Sequence, residues 1–373
     1  MITSSKARYI MIGGFLGAGK TTAVARLAEN LKKEGQRVGL ITNDQGSQLV
    51  DTAMLASRGF SVEEIAGGCF CCRFNSLMDA ARKLSEETRP DIFIAEPVGS
   101  CTDLVATVTY PLRRIYGEQF SIAPLSVVVD PIRALRIFGL EKGGSFSEKV
   151  IYIYEKQLQE ADIIVINKID LLTSNTRELL RTALASRFPA KTIIEVSARR
   201  GEGLDEWFEQ LIGTEQATGS AIEVDYAIYG EGEALLGWLN ATVQISAPAE
   251  FDGNALLRKL ASNIHARLQS EAAEVAHLKM TLSPDDAFSD VAVINLVRND
   301  GSPELSQELP DLMERGELII NIRAEADPSV LRTIVEEVVA DLGSTKNVPE
   351  LKIEHIESFR PGQPQPTHRI ANF

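Results

Sequence analysis

Short apolar runs, each about one strand long, recur through the first half of the chain: Tyr9–Ile12, Arg37–Thr42, Ser61–Ile65, Asp91–Ala95, Leu125–Val129, Asp162–Ile166 and Thr192–Val196. Between them lie segments with apolar residues at three- and four-residue spacing. Ala23–Lys33 and Thr176–Ser186 are the clearest, and each predicts an amphipathic helix. Several runs are apolar at nearly every position, as in Asp162-Ile163-Ile164-Val165-Ile166, the pattern of strands covered on both faces. The expectation is an α/β fold with a mostly parallel, roughly seven-stranded sheet flanked by helices.

The pattern changes at Gly213–Ser220, where small polar residues replace the apolar runs and suggest a linker. Beyond it, strands are expected at Leu236–Ile245, Val275–Leu282, Val291–Val297, Leu318–Ala324 and Leu351–Ser358, with helices at Asn254–Ser270 and Ser329–Leu342. Grouped strands and separated helices imply a smaller α+β domain whose mixed or antiparallel sheet is covered on one face. The expected division is 1–215, a linker at 216–222, a second domain at 223–360 and an extended tail at 361–373. Trp238 is expected in a strand core.

Composition narrows the partners. The chain has 373 residues, is 44% hydrophobic and carries a formal net charge of −14. That balance argues against general nucleic-acid binding and membrane-surface binding, which need concentrated positive charge. No run of eighteen apolar residues and no signal-peptide pattern occurs, so a cytoplasmic protein is expected.

Gly14-Phe15-Leu16-Gly17-Ala18-Gly19-Lys20-Thr21 satisfies G-x-x-x-x-G-K-S/T between a predicted strand and a predicted helix. Glycines let the backbone curl its amides toward phosphate oxygens, and the following helix adds its positive end. Lys20 reaches the β- and γ-phosphates, Thr21 offers a hydroxyl to Mg²⁺, and Thr22 follows on the same turn. Asn167-Lys168-Ile169-Asp170 ends a later strand as N-K-x-D. A carboxylate at Asp170 can accept from the guanine ring N–H and exocyclic amine together, a donor pair that adenine lacks. Asn167 and Lys168 brace the loop and cover the base. One strand on, Ser197-Ala198 matches the loop whose backbone meets the guanine oxygen. A P-loop nucleotide-binding domain selective for GTP and GDP follows. The strand ending in Glu96, three residues before Gly99, supplies the acid that orients Mg²⁺ and an amide for the γ-phosphate. Asp44 is a candidate for positioning the attacking water or completing the Mg²⁺ shell, and a turn-forming Asn43-Asp44 is the plain alternative. Asp51 is a weaker candidate.

All four cysteines fall in one region: Cys69, Cys71, Cys72 and Cys101. Three thiolates spaced C-x-C-C can hold one borderline ion such as Zn²⁺, and small buried cysteines are the alternative.

GGFLGAGKTT, GGCFCC, Glu96-x-x-Gly99 and NKID together resemble the CobW/HypB/UreG family of metal-handling P-loop GTPases, in its CobW-like branch. The resemblance covers the first ~215 residues by motif and the second domain by length and grammar. It implies a nucleotide-gated metallochaperone or insertase and matches Glu96 to the family's Mg²⁺ motif; with the motifs above, Lys20, Asp44 and Glu96 are the catalytic candidates of a GTPase expected to be slow. It further implies Zn²⁺ or Co²⁺ at Cys69, Cys71 and Cys72 and nucleotide-coupled delivery to a client metalloprotein; a nucleotide-dependent homodimer is a separate candidate partner. A GTPase assembly or reactivation factor for a cofactor-dependent enzyme, such as a corrinoid protein, is the alternative. Three departures stand out: Pro97 and Val98 inside the acidic motif, Asn43-Asp44-Gln45-Gly46 after the second strand, and no histidine-rich stretch. His265, His277, His355 and His368 are scattered and read as ordinary residues. Cys101 lies two residues past Gly99 and is an extra candidate ligand, a buried thiol without that role being the alternative.

Overall fold

The computed structural model describes residues 6–43, 50–285, 290–343 and 349–373. They form two units. The first comprises Met1–Gln45, Phe60–Tyr229 and Gln363–Phe373; the second comprises Gly46–Gly59 and Gly230–Gly362.

The chain enters through β1 (Ala7–Gly13), α1 (Lys20–Lys33) and β2 (Val38–Asn43), then passes through α2 (Val50–Ser57), which belongs to the second unit. The first unit resumes with β3 (Ser61–Ile65), α3 (Phe74–Glu87), β4 (Ile92–Glu96), α4 (Tyr110–Tyr116), β5 (Phe120–Ile122) and β6 (Ser126–Val129). It continues through α5 (Pro131–Ile137), α6 (Glu148–Glu160), β7 (Ile163–Ile166), α7 (Ser174–Arg187), β8 (Thr192–Glu195) and α8 (Leu204–Gly213). The strands lie in the order β3-β2-β4-β1-β6-β7-β8, with the short β5 also beside β1. Every pairing is parallel. Four-residue strands such as Ile163-Ile164-Val165-Ile166 are buried throughout, as their unbroken apolar run requires. The order turns around at β1, which lies between β4 and β6, so loops leaving β1 and β4 meet at the carboxyl end of the sheet. β5 has no counterpart among the expected strands, because three residues are too few for a periodic signal.

The polar stretch read as a linker is held on the first unit. Gln216 is buried and its N–H donates to the Ile122 carbonyl at 2.9 Å, and the Ala221 N–H donates to Ala371 at 2.8 Å. The chain changes unit at Tyr229–Gly230, inside α9 (Tyr226–Leu235).

In the second unit β9 (Leu236–Phe251), α10 (Gly253–Ser270), β10 (Glu274–Pro284), β11 (Ala292–Leu296), β12 (Glu304–Gln307), β13 (Met313–Glu325), α11 (Pro328–Gly343) and β14 (Glu350–Phe359) follow in turn. The sheet is antiparallel in the order β12-β11-β10-β13-β9-β14. Leu278, Met280, Ile320 and Ile322 join one core with Leu257, Ile264, Leu331 and Val335 of α10 and α11. The alternate residues Lys279 and Asn321 point from the opposite face, and α2 meets them there. Asp51 pairs with Lys279 at 2.6 Å, and the Val50 N–H donates to Asn321 Oδ1 at 3.3 Å. The expectation of cover on one face therefore needs correction: α2, excised from the first unit's sequence, packs on the second. Trp238 is fully buried beneath the Arg323 guanidinium, 3.9 Å away.

Candidate functional site

Gly14 leaves β1 at φ +129°, a conformation that side chains resist, and a Cβ there would lie 2.2 Å from the Val128 carbonyl oxygen. The chain then curls through Gly17 to Gly19, which caps α1 at φ +96°. The Lys20 ammonium lies inside the curl, donating to the carbonyls of Gly14 (2.8 Å) and Phe15 (3.4 Å). Thr21 stands beside Glu96 at the end of β4, its hydroxyl 2.9 Å from Oε1, and both are buried. Gly99 lies flush on the phosphate loop, since a Cβ at that position would meet the Leu16 nitrogen at 2.9 Å. Thr22 lies on the first turn of α1.

The N-K-x-D loop packs against the same curl. Asn167 Nδ2 donates to the Ala18 carbonyl at 3.0 Å, and its Oδ1 accepts from the Ala198 N–H at 3.0 Å. One side chain thereby ties the phosphate loop to the Ser197–Ala198 turn. Lys168 donates to the Gly17 carbonyl and to Asp130, both at 2.7 Å. Asp170 accepts from the Ser197 hydroxyl at 2.6 Å, which leaves its second carboxylate oxygen facing Arg200 at 3.9 Å.

Sequence reasoning missed Asp130 and Arg133. Asp130 caps α5 by accepting from the Arg133 N–H at 2.9 Å. Burial alone would push its carboxyl up, but Lys168 and Arg133 outweigh that and hold it well below the usual range. The Arg133 guanidinium donates to the Leu16 carbonyl at 2.5 Å and packs on the rings of Phe15 and Phe146 at 5.2 and 5.1 Å. Asp-Pro after a strand signals a helix cap, but nothing local says that the next turn props the phosphate loop.

Gly67 and Gly68 turn the chain at positive φ after β3, and Asn43 Nδ2 from β2 pins the turn through the carbonyls of Ile65 (2.9 Å) and Gly68 (2.7 Å). A helical turn follows, with Cys72 and Arg73 both donating to the Cys69 carbonyl, and it draws three sulfurs together. The sulfur of Cys69 lies 2.8 Å from that of Cys71 and 3.2 Å from that of Cys72, while Cys71 and Cys72 are 3.6 Å apart. Tetrahedral zinc–thiolate bonds of about 2.3 Å set sulfurs about 3.8 Å apart, so this triangle has only to open by about 1 Å or less per edge. Among the described residues this is the one grouping of histidine, cysteine and acidic side chains with the geometry to hold a metal ion. Cys69 and Cys71 are buried and Cys72 is half-buried.

The thiols polarise one another. Cys101 is within hydrogen-bonding reach of Cys69 and, with Cys71 and Cys72, holds its thiol well below the usual range. Hydrogen bonding to Cys69 and burial push Cys71 well up, and Cys72 rises to about 11. Segment 99–103, which carries Cys101, is held from several sides. Gln157 donates to the carbonyls of Gly99 (2.9 Å) and Cys101 (2.8 Å), and the Thr102 hydroxyl donates to Glu160 at 3.0 Å. Asp103 is fully buried and accepts from Tyr226 (2.6 Å) and Arg369 (2.7 Å).

Burial, and next the charge of Asp103, push Glu160 up to about 8. A carboxyl whose folded pKa is raised stabilises the fold at low pH and loses that contribution as pH climbs from its ordinary value through 8. Glu160→Gln should therefore melt close to wild type at about pH 5 and at higher temperature than wild type at about pH 9. Parallel melting curves across that range would contradict the assignment.

Asp44 lies outside the described residues. Asp51, the weaker candidate, pairs with Lys279 within the second unit. His265 and His277 are buried in the second unit, His355 lies on β14, and His368 packs edge-on against Phe74 at 5.0 Å.

The model of the CobW/HypB/UreG nucleotide-binding domain matches residues 8–195. The chain belongs to this family. Its curated relatives favour the CobW-like branch. "Zinc chaperone CobW" of a Sinorhizobium species is 31% identical over 52% of this chain and 59% of its own length. "Zinc chaperone YeiR" of Escherichia coli is 30% identical over 46% of this chain and 49% of its own. The chain thus spans about half the length of these CobW-like relatives in the matched region. Among solved structures, hydrogenase maturation factor HypB from Archaeoglobus fulgidus matches with a TM-score of 0.39 and 22% identity, over 56% of this chain and 89% of that one.

Proposed function

We propose that this CobW-like chain is a GTP-hydrolysing metal carrier in which nucleotide state controls a cysteine-bound ion delivered to a client metalloprotein. The observation that carries the reading is the segment Glu96–Asp103. One end supports the phosphate loop through Glu96 and Gly99, and Cys101, outside the three-sulfur grouping, hydrogen-bonds with one of its members, Cys69. A group that senses the γ-phosphate through this segment can therefore alter the sulfur site directly.

In this reading Lys20 balances phosphate charge, and the hard oxygen donors of Thr21 and Glu96 suit Mg²⁺, which would neutralise β- and γ-phosphate charge when bound. Asp44 is proposed to position the attacking water. Asp170, oriented by Ser197, reads the guanine edge, while Asn167, Lys168 and Ala198 fix its loop. The cargo is Zn²⁺ or Co²⁺ on Cys69, Cys71 and Cys72, with Cys101 as the proposed fourth sulfur. Zinc-chaperone names among the relatives support zinc first. Intrinsic turnover is slow, as on this chassis generally. A nucleotide-dependent homodimer and a cytoplasmic setting complete the proposal; among the described residues no helix is long and apolar enough to cross a membrane.

Phosphate release from GTP against ATP tests the nucleotide assignment. Asp170→Asn should weaken GTP use by about 100-fold or more, because its amide opposes the guanine donors, and should gain activity with xanthosine triphosphate, whose ring presents an oxygen there. Equal use of GTP by variant and wild type would contradict the assignment.

A further inference from the structure

The segment 363–373, expected only to be extended, is tied at several points to the cysteine site and to the segment that adjoins the phosphate loop. The Gln365 N–H donates to the sulfur of Cys72 at 3.2 Å. Thr367 donates through its N–H to the Cys71 carbonyl (2.8 Å) and through its hydroxyl to the Cys72 carbonyl (3.0 Å). Two residues on, Arg369 reaches the buried Asp103 at 2.7 Å and the Ile222 carbonyl at 3.0 Å. The Ile370 N–H then donates to Ala106 (2.8 Å), in a π-helical turn at Val105–Thr109. Phe373 packs on Tyr110 at 5.4 Å, and Asn372 accepts from the Ser220 hydroxyl at 2.9 Å.

We infer that residues 363–373 form a clasp belonging to the metal site, with Arg369 as its positioning residue and the Gln365 N–H as its hydrogen bond to sulfur, so that seating of the clasp controls how fast the ion leaves. The inference rests on the metal-carrier reading above. Three features carry it. Cys72 is the half-buried member of the triangle, hence the sulfur most open to an incoming ligand, and the clasp crosses it. An N–H donated to a thiolate spreads its charge and fixes its orientation, and such outer partners commonly change metal affinity by about 10- to 100-fold. Asp103 lies two residues past Cys101, so Arg369 grips the segment that joins the phosphate loop to Cys69. The clasp thus contacts both the cysteine motif and the segment proposed to report the γ-phosphate. Release then proceeds by ligand exchange: a donor from the client replaces Cys72 on the ion, and the freed thiolate takes a proton from water.

The test loads the full chain with one equivalent of Zn²⁺ without oxygen and follows transfer to a chromogenic pyridylazo chelator. Gln365→Pro removes the N–H within a run already flanked by Pro364 and Pro366, so backbone change is small. It should speed transfer by roughly 3- to 10-fold. Arg369→Met should speed it by about 10-fold or more, and Arg369→Lys should bring the rate part of the way back toward wild type. With Co²⁺ in place of zinc, Gln365→Pro should also shift the thiolate-to-cobalt absorption band. GTP binding by each variant shows that the first unit is folded. Wild-type transfer rates and an unshifted band in Gln365→Pro would overturn the clasp while leaving the carrier reading intact. Failure of the wild-type chain to take up either ion would overturn the carrier reading and the clasp together.

Discussion

Lys20→Ala is expected to lower GTP turnover by about 100- to 1000-fold, the range typical for loss of one charged donor aimed at a transferring group. The ammonium lies within the curl of the phosphate loop, against the carbonyls of Gly14 and Phe15, at the first residue of α1. Among the described residues, the nearby cations are already engaged: Lys168 by Asp130 and Gly17, and Arg133 by the Leu16 carbonyl and two rings. Phosphate release and fluorescent-nucleotide binding measure the effect. Zinc binding at the cysteines should persist in the same variant, showing that the unit remains folded. Turnover within about threefold of wild type would remove the phosphate loop from the catalytic account.

The second large effect is expected at the cysteines. Changing Cys69, Cys71 and Cys72 together to serine should weaken Zn²⁺ binding by at least about 1000-fold, because serine hydroxyls neither ionise near neutral pH nor match the softness of sulfur. Among single changes Cys69→Ser should cost most. Its sulfur makes the two shortest contacts of the triangle, 2.8 Å to Cys71 and 3.2 Å to Cys72. Competition with a chelator of known affinity gives the number. An unchanged zinc affinity in the triple variant would mean that this triangle is a packing cluster.

The parts of this site that were legible in the sequence are those where neighbours in sequence are neighbours in space. The phosphate loop, N-K-x-D and C-x-C-C each fit within eight residues, and each works through local backbone curvature. The strands read well for a related reason: runs such as Ile163–Ile166 are apolar because the sheet is covered on both sides. What escaped depends on long-range placement. Asp130, Arg133, Gln157, Glu160 and Arg369 are ordinary polar residues on helices or an extended stretch, and tertiary packing alone brings them to the phosphate loop or to segment 99–103. The helix α2 misled through topology, since it sits between two strands of the first unit yet packs on the second unit's sheet through Asp51 and Lys279. Residues 363–373, rich in proline, have no helical or strand period. Their hydrogen bonds run to the cysteine turn almost 300 positions earlier: Gln365 and Cys72 are 293 residues apart.

Arg369 also has a stability consequence. Asp103 is fully buried, and among the described residues its carboxylate would keep the Tyr226 hydroxyl alone if the guanidinium were removed. Breaking a buried pair from one side costs about 3–5 kcal/mol, less where one partner is part-exposed as Arg369 is. A lower melting temperature for Arg369→Met, partly restored by adding Asp103→Asn, is the expected signature. An additive double variant would show that the two residues act separately.

The central claim is that nucleotide state and the sulfur site share one segment. Its most direct test is zinc affinity of the full wild-type chain, measured anaerobically by chelator competition with GDP and with a non-hydrolysable GTP analogue. The account predicts affinities differing by about 5-fold or more between the two nucleotides, the size of an ordinary coupling between sites. Equal zinc affinity in both nucleotide states would contradict it.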